Sequence, residues 1–326
     1  MNFTNIIKNK IDLKKNQKFV AIIGSDPSKG ARSPVLWNKA FSKLKISMKM
    51  FPLDVKDQNV SRLIKSLKEN DYFCASAVTV PHKERVIKYL DEIDQSALEI
   101  GSVNLIVKKN NKLKGYNTDS LGCRFTLNKI NKINKKINNI LIIGCGGAGK
   151  ACIISTKNKY PKANIYLFNR DLNKLNKFYK RIKVNKKNIK IIKNYSILTK
   201  LKKLDLIINT TSLGFDLEIP SIKSNLKYFS PISQLEIKFN KLKTTENVIN
   251  TIIDNISETL TFLKVNSNAI VFDIIYKPSK TLIMKMAEKI GLKSINGLEM
   301  NLMQAVEAFG IVNKKLKIKE IIKVMK

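Results

Sequence analysis

The run Gly144-Cys145-Gly146-Gly147-Ala148-Gly149 places glycine at its first, third and sixth positions, the spacing that cradles the pyrophosphate of a dinucleotide. Gly144 permits a tight turn. Gly146 lets the backbone come close to phosphate, and Gly149 lets a following helix pack on the preceding strand. Gly147 and Ala148 then fall in a first helical turn whose N–H groups face the anion. At the end of the next strand-like run, Asn164–Phe168, stand Asn169 and Arg170, with Lys174 one helical turn further on. NAD-binding folds usually place Asp or Glu at that point, to bond the ribose 2′-hydroxyl. A carboxylate would repel a 2′-phosphate, whereas a guanidinium binds it bidentately. Position and charge together favour NADP over NAD. The plain alternative is that Arg170 and Lys174 are two cations in a chain full of them.

Three other segments bring polar groups to the ends of predicted elements. In Val78-Thr79-Val80-Pro81-His82-Lys83-Glu84, a strand ends in Thr79, and Pro81 then opens a helix that projects Lys83 from its first turn. Asn117-Thr118-Asp119 follows a strand directly, where Asp119 is also suited to cap a helix. The third is the loop Gly24–Pro34, which ends in Arg32-Ser33-Pro34.

The elements that hold these groups alternate along the chain. Strands are predicted over Lys18–Gly24, Ser47–Leu53 and Tyr72–Val80, and helices over Pro34–Lys45, Val60–Asn70 and His82–Leu90. Asn110-Asn111 between Val103–Lys108 and Lys112–Tyr116 reads as a hairpin turn. Ser120–Ile130 reads as a linking helix. Beyond it lie apolar strands near 140, 165, 190, 206 and 270, then helices over Thr281–Ile290 and Leu298–Phe309, and a Lys-rich helical tail. The fold class is therefore α/β, in two domains. Residues 1–120, completed by 296–326, form one domain, and 121–295 form a Rossmann-type nucleotide domain, with the active site expected in the cleft between the two. Residues 216–267 are long, polar and rich in Lys and Asn, with one helical pattern inside them at Val248–Phe262. They read as a peripheral insertion.

Composition narrows the classes. A chain of 326 residues with 44% hydrophobic content has room for two real cores. No apolar run approaches the ~18 residues of a membrane span, and no signal-peptide core is visible. The four cysteines (Cys74, Cys123, Cys145 and Cys152) show no C-x-x-C spacing, and the single His, His82, rules out a His-built metal site. Free thiols in a reducing cytoplasm suit this pattern. The net charge of +36 invites a nucleic-acid reading. However, only six of the 61 basic residues are Arg, and the lysines are spread beside Asn and Ile. That is a solvated surface, with no clustered Arg and aromatics to stack bases. Neither a specific nucleic acid nor a membrane is expected as a partner; a small-molecule substrate is.

The order and spacing of these motifs resemble the shikimate dehydrogenases. The likeness rests on Val-Thr-Val-Pro-x-Lys, on Asn-Thr-Asp about 36 residues on, and on the glycine turn. Asn169-Arg170, Asn209-Thr210-Thr211-Ser212-x-Gly214, and Gly297-Leu298 with Gln304 also contribute. It runs through nearly the whole chain apart from residues 216–267. The resemblance implies NADPH-dependent reduction of the ketone of 3-dehydroshikimate to shikimate, in aromatic amino-acid and chorismate biosynthesis. It implies Lys83 and Asp119 as the catalytic pair and Ser33, Thr79, Asn104, Tyr276 and Gln304 as substrate contacts. Thr211, Ser212 and Gly297 join the glycine turn, Asn169, Arg170 and Lys174 around the cofactor. Asp273 supports the site. No metal is implied, and either a monomer or a homodimer would serve.

The chain departs from the family pattern in four places. Ala31 replaces the first serine of the usual Ser-x-Ser-Pro, Ala77 replaces an Asn, Leu105 replaces a Thr, and Lys174 replaces an Arg. The altered serine loop keeps a quinate or related ring-hydroxyacid dehydrogenase open as an alternative. Methylenetetrahydrofolate dehydrogenases share the two-domain plan but are not expected to combine these motifs. A non-catalytic NADP-binding sensor is the non-enzyme alternative.

Overall fold

The strands form two six-stranded sheets, whose central members, such as Phe19–Gly24 and Asn139–Ile143, are runs of mostly apolar residues. The computed structural model describes residues 3, 5–134, 136–216, 224–233, 245–314 and 316–326. The chain divides into two units: Met1–Gly122 with Leu302–Lys326, and Cys123–Asn301.

The first unit contains β1 (Phe19–Gly24), α1 (Arg32–Lys43), β2 (Lys49–Asp54), α2 (Val60–Glu69), β3 (Phe73–Val78), β4 (Glu92–Ile93), α3 (Gln95–Ile100), β5 (Leu105–Lys109) and β6 (Lys112–Tyr116). Its sheet order is β2-β1-β3-β5-β6-β4, parallel at β2-β1-β3 and antiparallel through β3, β5 and β6. Alternation along β1 sends Phe19, Ala21 and Ile23 to one face, against Leu63, Ile64 and Leu67 of α2. Val20 and Ile22 face the other way, against Trp37 and Phe41 of α1. Asn110 and Asn111 both adopt left-handed backbone, φ 49° and 55°, the turn that joins β5 to β6 with Lys109 opposite Lys112.

The second unit takes in most of α4 (Asp119–Ile133). It continues with β7 (Asn139–Ile143), α5 (Gly147–Lys159), β8 (Asn164–Phe168), α6 (Leu172–Arg181), β9 (Ile189–Ile192) and α7 (Tyr195–Leu198). Then come β10 (Leu206–Asn209), α8 (Thr245–Val265), β11 (Ile270–Asp273), α9 (Leu282–Lys289), β12 (Ser294–Ile295) and the start of α10 (Leu298–Val312). All its strands are parallel, in the order β12-β11-β10-β7-β8-β9. This is the doubly wound nucleotide-binding order, with its switch point between β7 and β10. Ile140, Leu141 and Ile142 of β7 are wholly buried, as strands covered on both faces must be. The rest of α10 and α11 (Ile318–Met325) belong to the first unit.

Three sequence expectations are corrected. Residues 82–90 form a turn and a short 3-10 stretch, Arg85–Tyr89, rather than an α-helix. The carbonyl of Lys83 is drawn to the N–H of Val103, which it accepts at 2.8 Å, in place of a regular helical ladder. Residues 296–301 group with the second unit, because β12 pairs with β11 and Gly297 N donates to Ile275 O at 2.9 Å. The third is the peripheral insertion at 216–267. Residues 217–223 and 234–244 lie outside the described residues, but α8 is no appendage. Phe262 and Leu263 are buried in one core with Leu141, Ile207 and Val271 of the sheet. Strands β10 and β11 pair in parallel, and a parallel pair needs a crossover, usually a helix. Within that crossover, α8 is the helix the structure describes.

Candidate active site

In the first unit the site begins where β3 ends. Thr79 N donates to Ile23 O at 2.8 Å, and Thr79 O accepts His82 N at 3.0 Å. The resulting turn carries Lys83. Behind it, His82 is fully buried, its Nε2 3.0 Å from Val55 O and its Nδ1 3.3 Å from Asp57. Burial holds the imidazole below its ordinary pKa, against the opposing pull of the Val55 carbonyl and of Asp57. A neutral ring thus anchors the turn.

Asp119 opens α4 directly after β6. Asn117 pins this junction: its Oδ1 accepts Asp119 N at 3.0 Å, and its Nδ2 donates to Ser102 O at 2.7 Å. Lys83 Nζ donates to Asp119 Oδ2 at 2.5 Å, with side-chain exposures of 16% and 7%. Asn104 Nδ2 donates to the other carboxylate oxygen at 2.9 Å, and also to Thr118 Oγ1 at 2.9 Å and Gln304 Oε1 at 3.2 Å. Thr118 Oγ1 donates to Gln304 O at 2.9 Å. Two oxygens of one carboxylate thus fix an ammonium and an amide, and two N–H bonds of Lys83 remain to meet a further acceptor.

Lys83, Asn104, Asp119 and Gln304 therefore come together as the sequence expects. Ser33, buried in the first turn of α1, and Thr79, half-buried at the end of β3, belong to the same unit. Neither joins the described hydrogen-bond network. Tyr276 lies in the second unit, its ring edge-on to Phe215 at 5.9 Å. Thr118 and Asn117 are the residues that reasoning on residue types passed over. Their signal was present in the Asn-Thr-Asp run, since two short polar side chains before a helix are suited to bracing it.

In the second unit, β7 runs into the glycine turn. Gly144 has φ 109°, a conformation that disfavours side chains. The Thr210 hydroxyl occupies the space that a Cβ on Gly144 would need, and stands 2.6 Å from where a Cβ on Gly149 would sit. That hydroxyl donates to Ile143 O at 2.8 Å, so Thr210 seals the turn from behind. Gly146 caps α5, and the space over it is open. This is the front from which phosphate would approach a helix N-terminus. Gly147 and Ala148 are the first residues of that helix.

Arg170 is exposed at the end of β8. Burial raises the pKa of the nearby Tyr195 phenol, and the Arg170 charge lowers it. Asn169 braces the turn instead of facing outward. Its Oδ1 accepts Cys145 N at 3.0 Å, and its Nδ2 donates to Asp171 O at 2.7 Å. Lys174 is half-buried in α6, its N–H bonded to the Asp171 cap at 2.9 Å. After β10, the Thr211 hydroxyl donates to Asn209 Oδ1 at 2.8 Å, while Ser212 is exposed. Gly297 presses against the Ile274 carbonyl, where a Cβ would collide. Among the described residues, no three of His, Cys, Asp and Glu gather as metal ligands, and no helix is long and apolar enough to cross a membrane.

Residues 22–106 match the family model described as the shikimate dehydrogenase substrate binding domain. A shikimate dehydrogenase (NADP(+)) of Methanococcus maripaludis is 31% identical over 297 residues, covering 90% of this chain and 91% of that one. The chain belongs to the shikimate dehydrogenase family. Another member, from Caldanaerobacter subterraneus, is 33% identical over 303 residues and 92% of each chain. A crystal structure of a shikimate dehydrogenase in complex with NADP+ is 27% identical, with a TM-score of 0.69 over 95% of this chain and 94% of that one. The shikimate dehydrogenase substrate-domain match includes Ser33, Thr79, Lys83 and Asn104.

Proposed function

We propose that the protein reduces the ketone of 3-dehydroshikimate to the alcohol of shikimate, reversibly, with NADPH. The observation that carries this reading is the Lys83–Asp119 pair at 2.5 Å, set within Asn104, Thr118 and Gln304. When bound, NADPH supplies a hydride to the carbonyl carbon. Negative charge then grows on the carbonyl oxygen. The Lys83 ammonium stabilises that charge and delivers the proton that completes the hydroxyl. Asp119 holds the ammonium in place and accepts a hydrogen bond from a substrate hydroxyl, and Asn104 locks the carboxylate. Ser33, Thr79, Gln304 and Tyr276 supply further polar contacts to the ring and its carboxylate.

The residues of the second unit fit the cofactor. The open space over Gly146 and the N–H groups of Gly147, Ala148 and Gly149 suit a pyrophosphate. Arg170, with Lys174, suits a 2′-phosphate. Asn169 and Thr211 contribute by holding their turns. Ser212 and Gly297 line the same end of the sheet. The absence of a serine at Ala31 supports a second reading, a quinate or related ring as substrate.

Purified protein is expected to reduce NADP with shikimate, read as nicotinamide absorbance, and to use NAD poorly. No turnover with shikimate or quinate would remove the enzymatic reading. Arg170→Ala is expected to weaken NADP far more than NAD, because one charge-assisted phosphate contact is worth roughly 1.5–3 kcal/mol. Equal loss for both cofactors, measured as KM, would make Arg170 structural.

A further inference from the structure

The C-terminal ends of β10 and β11 meet at a carboxylate that the proposed reaction leaves without a role. Asp273 is fully buried. Its Oδ1 accepts Ile275 N at 3.0 Å and Asn209 Nδ2 at 3.1 Å, and its Oδ2 accepts Thr281 Oγ1 at 2.7 Å and Asn209 Nδ2 at 3.1 Å. Every partner is a donor. Burial pushes its carboxyl up to about 6, with the Ile275, Thr281 and Asn209 hydrogen bonds opposing. With donors on both oxygens, it acts as an acceptor-only group. Burying a charge is expensive, and an amide of the same shape would avoid the expense. A carboxylate offers what an amide cannot: two acceptor oxygens and no donor.

What it supplies is direction. Facing an acceptor-only group, Asn209 must present its NH2, and its Oδ1 is therefore turned the other way. That oxygen accepts Thr211 N at 2.9 Å and Thr211 Oγ1 at 2.8 Å. With its proton committed to Asn209, the Thr211 oxygen accepts Leu213 N at 3.1 Å. Asn209 Nδ2 also donates to Leu213 O at 3.1 Å, closing the turn. Gly214, at φ 102°, packs against Thr281, the same residue whose hydroxyl binds Asp273. The hydrogen bonds from Leu213 N through the Thr211 hydroxyl and the Asn209 amide thus run in sequence toward one carboxylate. The turn they shape follows β10, at the carboxyl end of the sheet where doubly wound folds bind their ligands.

We propose that Asp273 is a positioning residue that fixes the Asn209 amide and, through it, the Thr211–Gly214 turn that receives the cofactor. It rests on the reading of this unit as the NADP carrier. In Asp273→Asn, one of the two oxygens that Asn209 Nδ2 bonds becomes an NH2. The Asn209 amide then keeps a single contact, to a neutral oxygen shared with Ile275 N, and its direction is held less firmly. The exchanged pair Asn209→Asp with Asp273→Asn restores the direction: position 209 accepts from Thr211 and from the new amide, whose oxygen takes the Oδ1 place and accepts from Ile275, while its NH2, at the Oδ2 place, also meets the Thr281 hydroxyl, which turns to accept. The bond to Leu213 O is lost, and a carboxylate oxygen then faces that carbonyl.

The test is NADP titration by calorimetry on the whole protein, with the thermal midpoint measured alongside. Wild type that binds no NADP defeats the cofactor reading itself, before any variant is considered. Given wild-type binding, Asp273→Asn is expected to weaken NADP about tenfold or more, and the exchanged pair to recover most of that loss. Unchanged affinity in Asp273→Asn overturns the proposal. So does an exchanged pair that binds no better than Asp273→Asn, since a carboxylate needed only for packing or stability would gain nothing from a swapped partner. If Asp273→Asn does not fold, the exchanged pair decides alone. Folded protein with NADP affinity within about tenfold of wild type sustains the proposal, and misfolded protein refutes it.

Discussion

Lys83→Ala is expected to cut turnover on the order of 10²–10⁴-fold, the range for a positioned general acid or base. The ammonium is the group nearest in chemistry to a developing alkoxide. Its 2.5 Å bond to Asp119 leaves it 16% exposed, held and still reachable. NADP affinity should barely move, because Lys83 lies in the first unit and the glycine turn in the second. Asp119→Asn should also slow turnover. The amide keeps the shape but removes the charge partner, and it turns an NH2 toward either Lys83 or Asn104, both donors. The double variant should lose much less than the product of the single losses, since residues acting as a unit are non-additive. Steady-state kinetics with shikimate and NADP measures all three. Near-normal turnover in Lys83→Ala would make it a surface lysine. Multiplicative losses would mean that the two residues act separately.

Removing α8 is the second large perturbation. Deletion of residues 245–265 with a Gly/Ser bridge is expected to give no folded second unit, seen as insoluble protein or loss of the cooperative melting transition. Phe262→Ala alone should cost roughly 3–5 kcal/mol, as large-to-small changes in a packed core do. Phe262 and Leu263 face Leu141, Ile207 and Val271, so the deletion would strip one face of a parallel sheet that needs both faces covered. Soluble deleted protein with normal NADP binding would show that the sheet holds without the helix.

The burial of α8, a helix whose pattern is legible at Val248–Phe262 but whose place in the core is not, shows where sequence patterning stops. Strands β7 and β8 were plain because parallel strands buried on both faces are unbroken apolar runs. The Asn110-Asn111 turn was plain because both positions require left-handed backbone. In α8, by contrast, buried Asn255 and Thr259 sit among the apolar residues. Asn255 bonds Ser230 N at 2.8 Å and Ser230 O at 3.1 Å, so a polar letter hides a core position. Residues 82–90 misled for a related reason. The partner of the Lys83 carbonyl, Val103, lies far along the chain, and no local pattern announces it. The site was legible where chemistry depends on residue type, as with Lys83 and Asp119. It was illegible where a residue works by bracing, as Asn117, Thr210 and Asn209 do. Such residues differ from ordinary loop polars only in what they touch.

The first unit is split in sequence, and this bears on how the chain matures at the ribosome. Trp37 and Phe41 of α1 close on Phe309 of α10 at 5.0 and 5.1 Å, and Ile321 and Met325 of α11 complete that core. All of Cys123–Asn301 is synthesised before Leu302. The nucleotide-binding unit can therefore fold while translation continues, as contiguous domains generally do. The earlier-made sheet must wait with one apolar face uncovered. Gln304, which bonds Asn104, arrives in the same late segment. Premature termination near residue 300 would thus leave the second unit whole and the first unit both uncovered and without the Gln304 partner of Asn104, a product marked for chaperone capture and proteolysis.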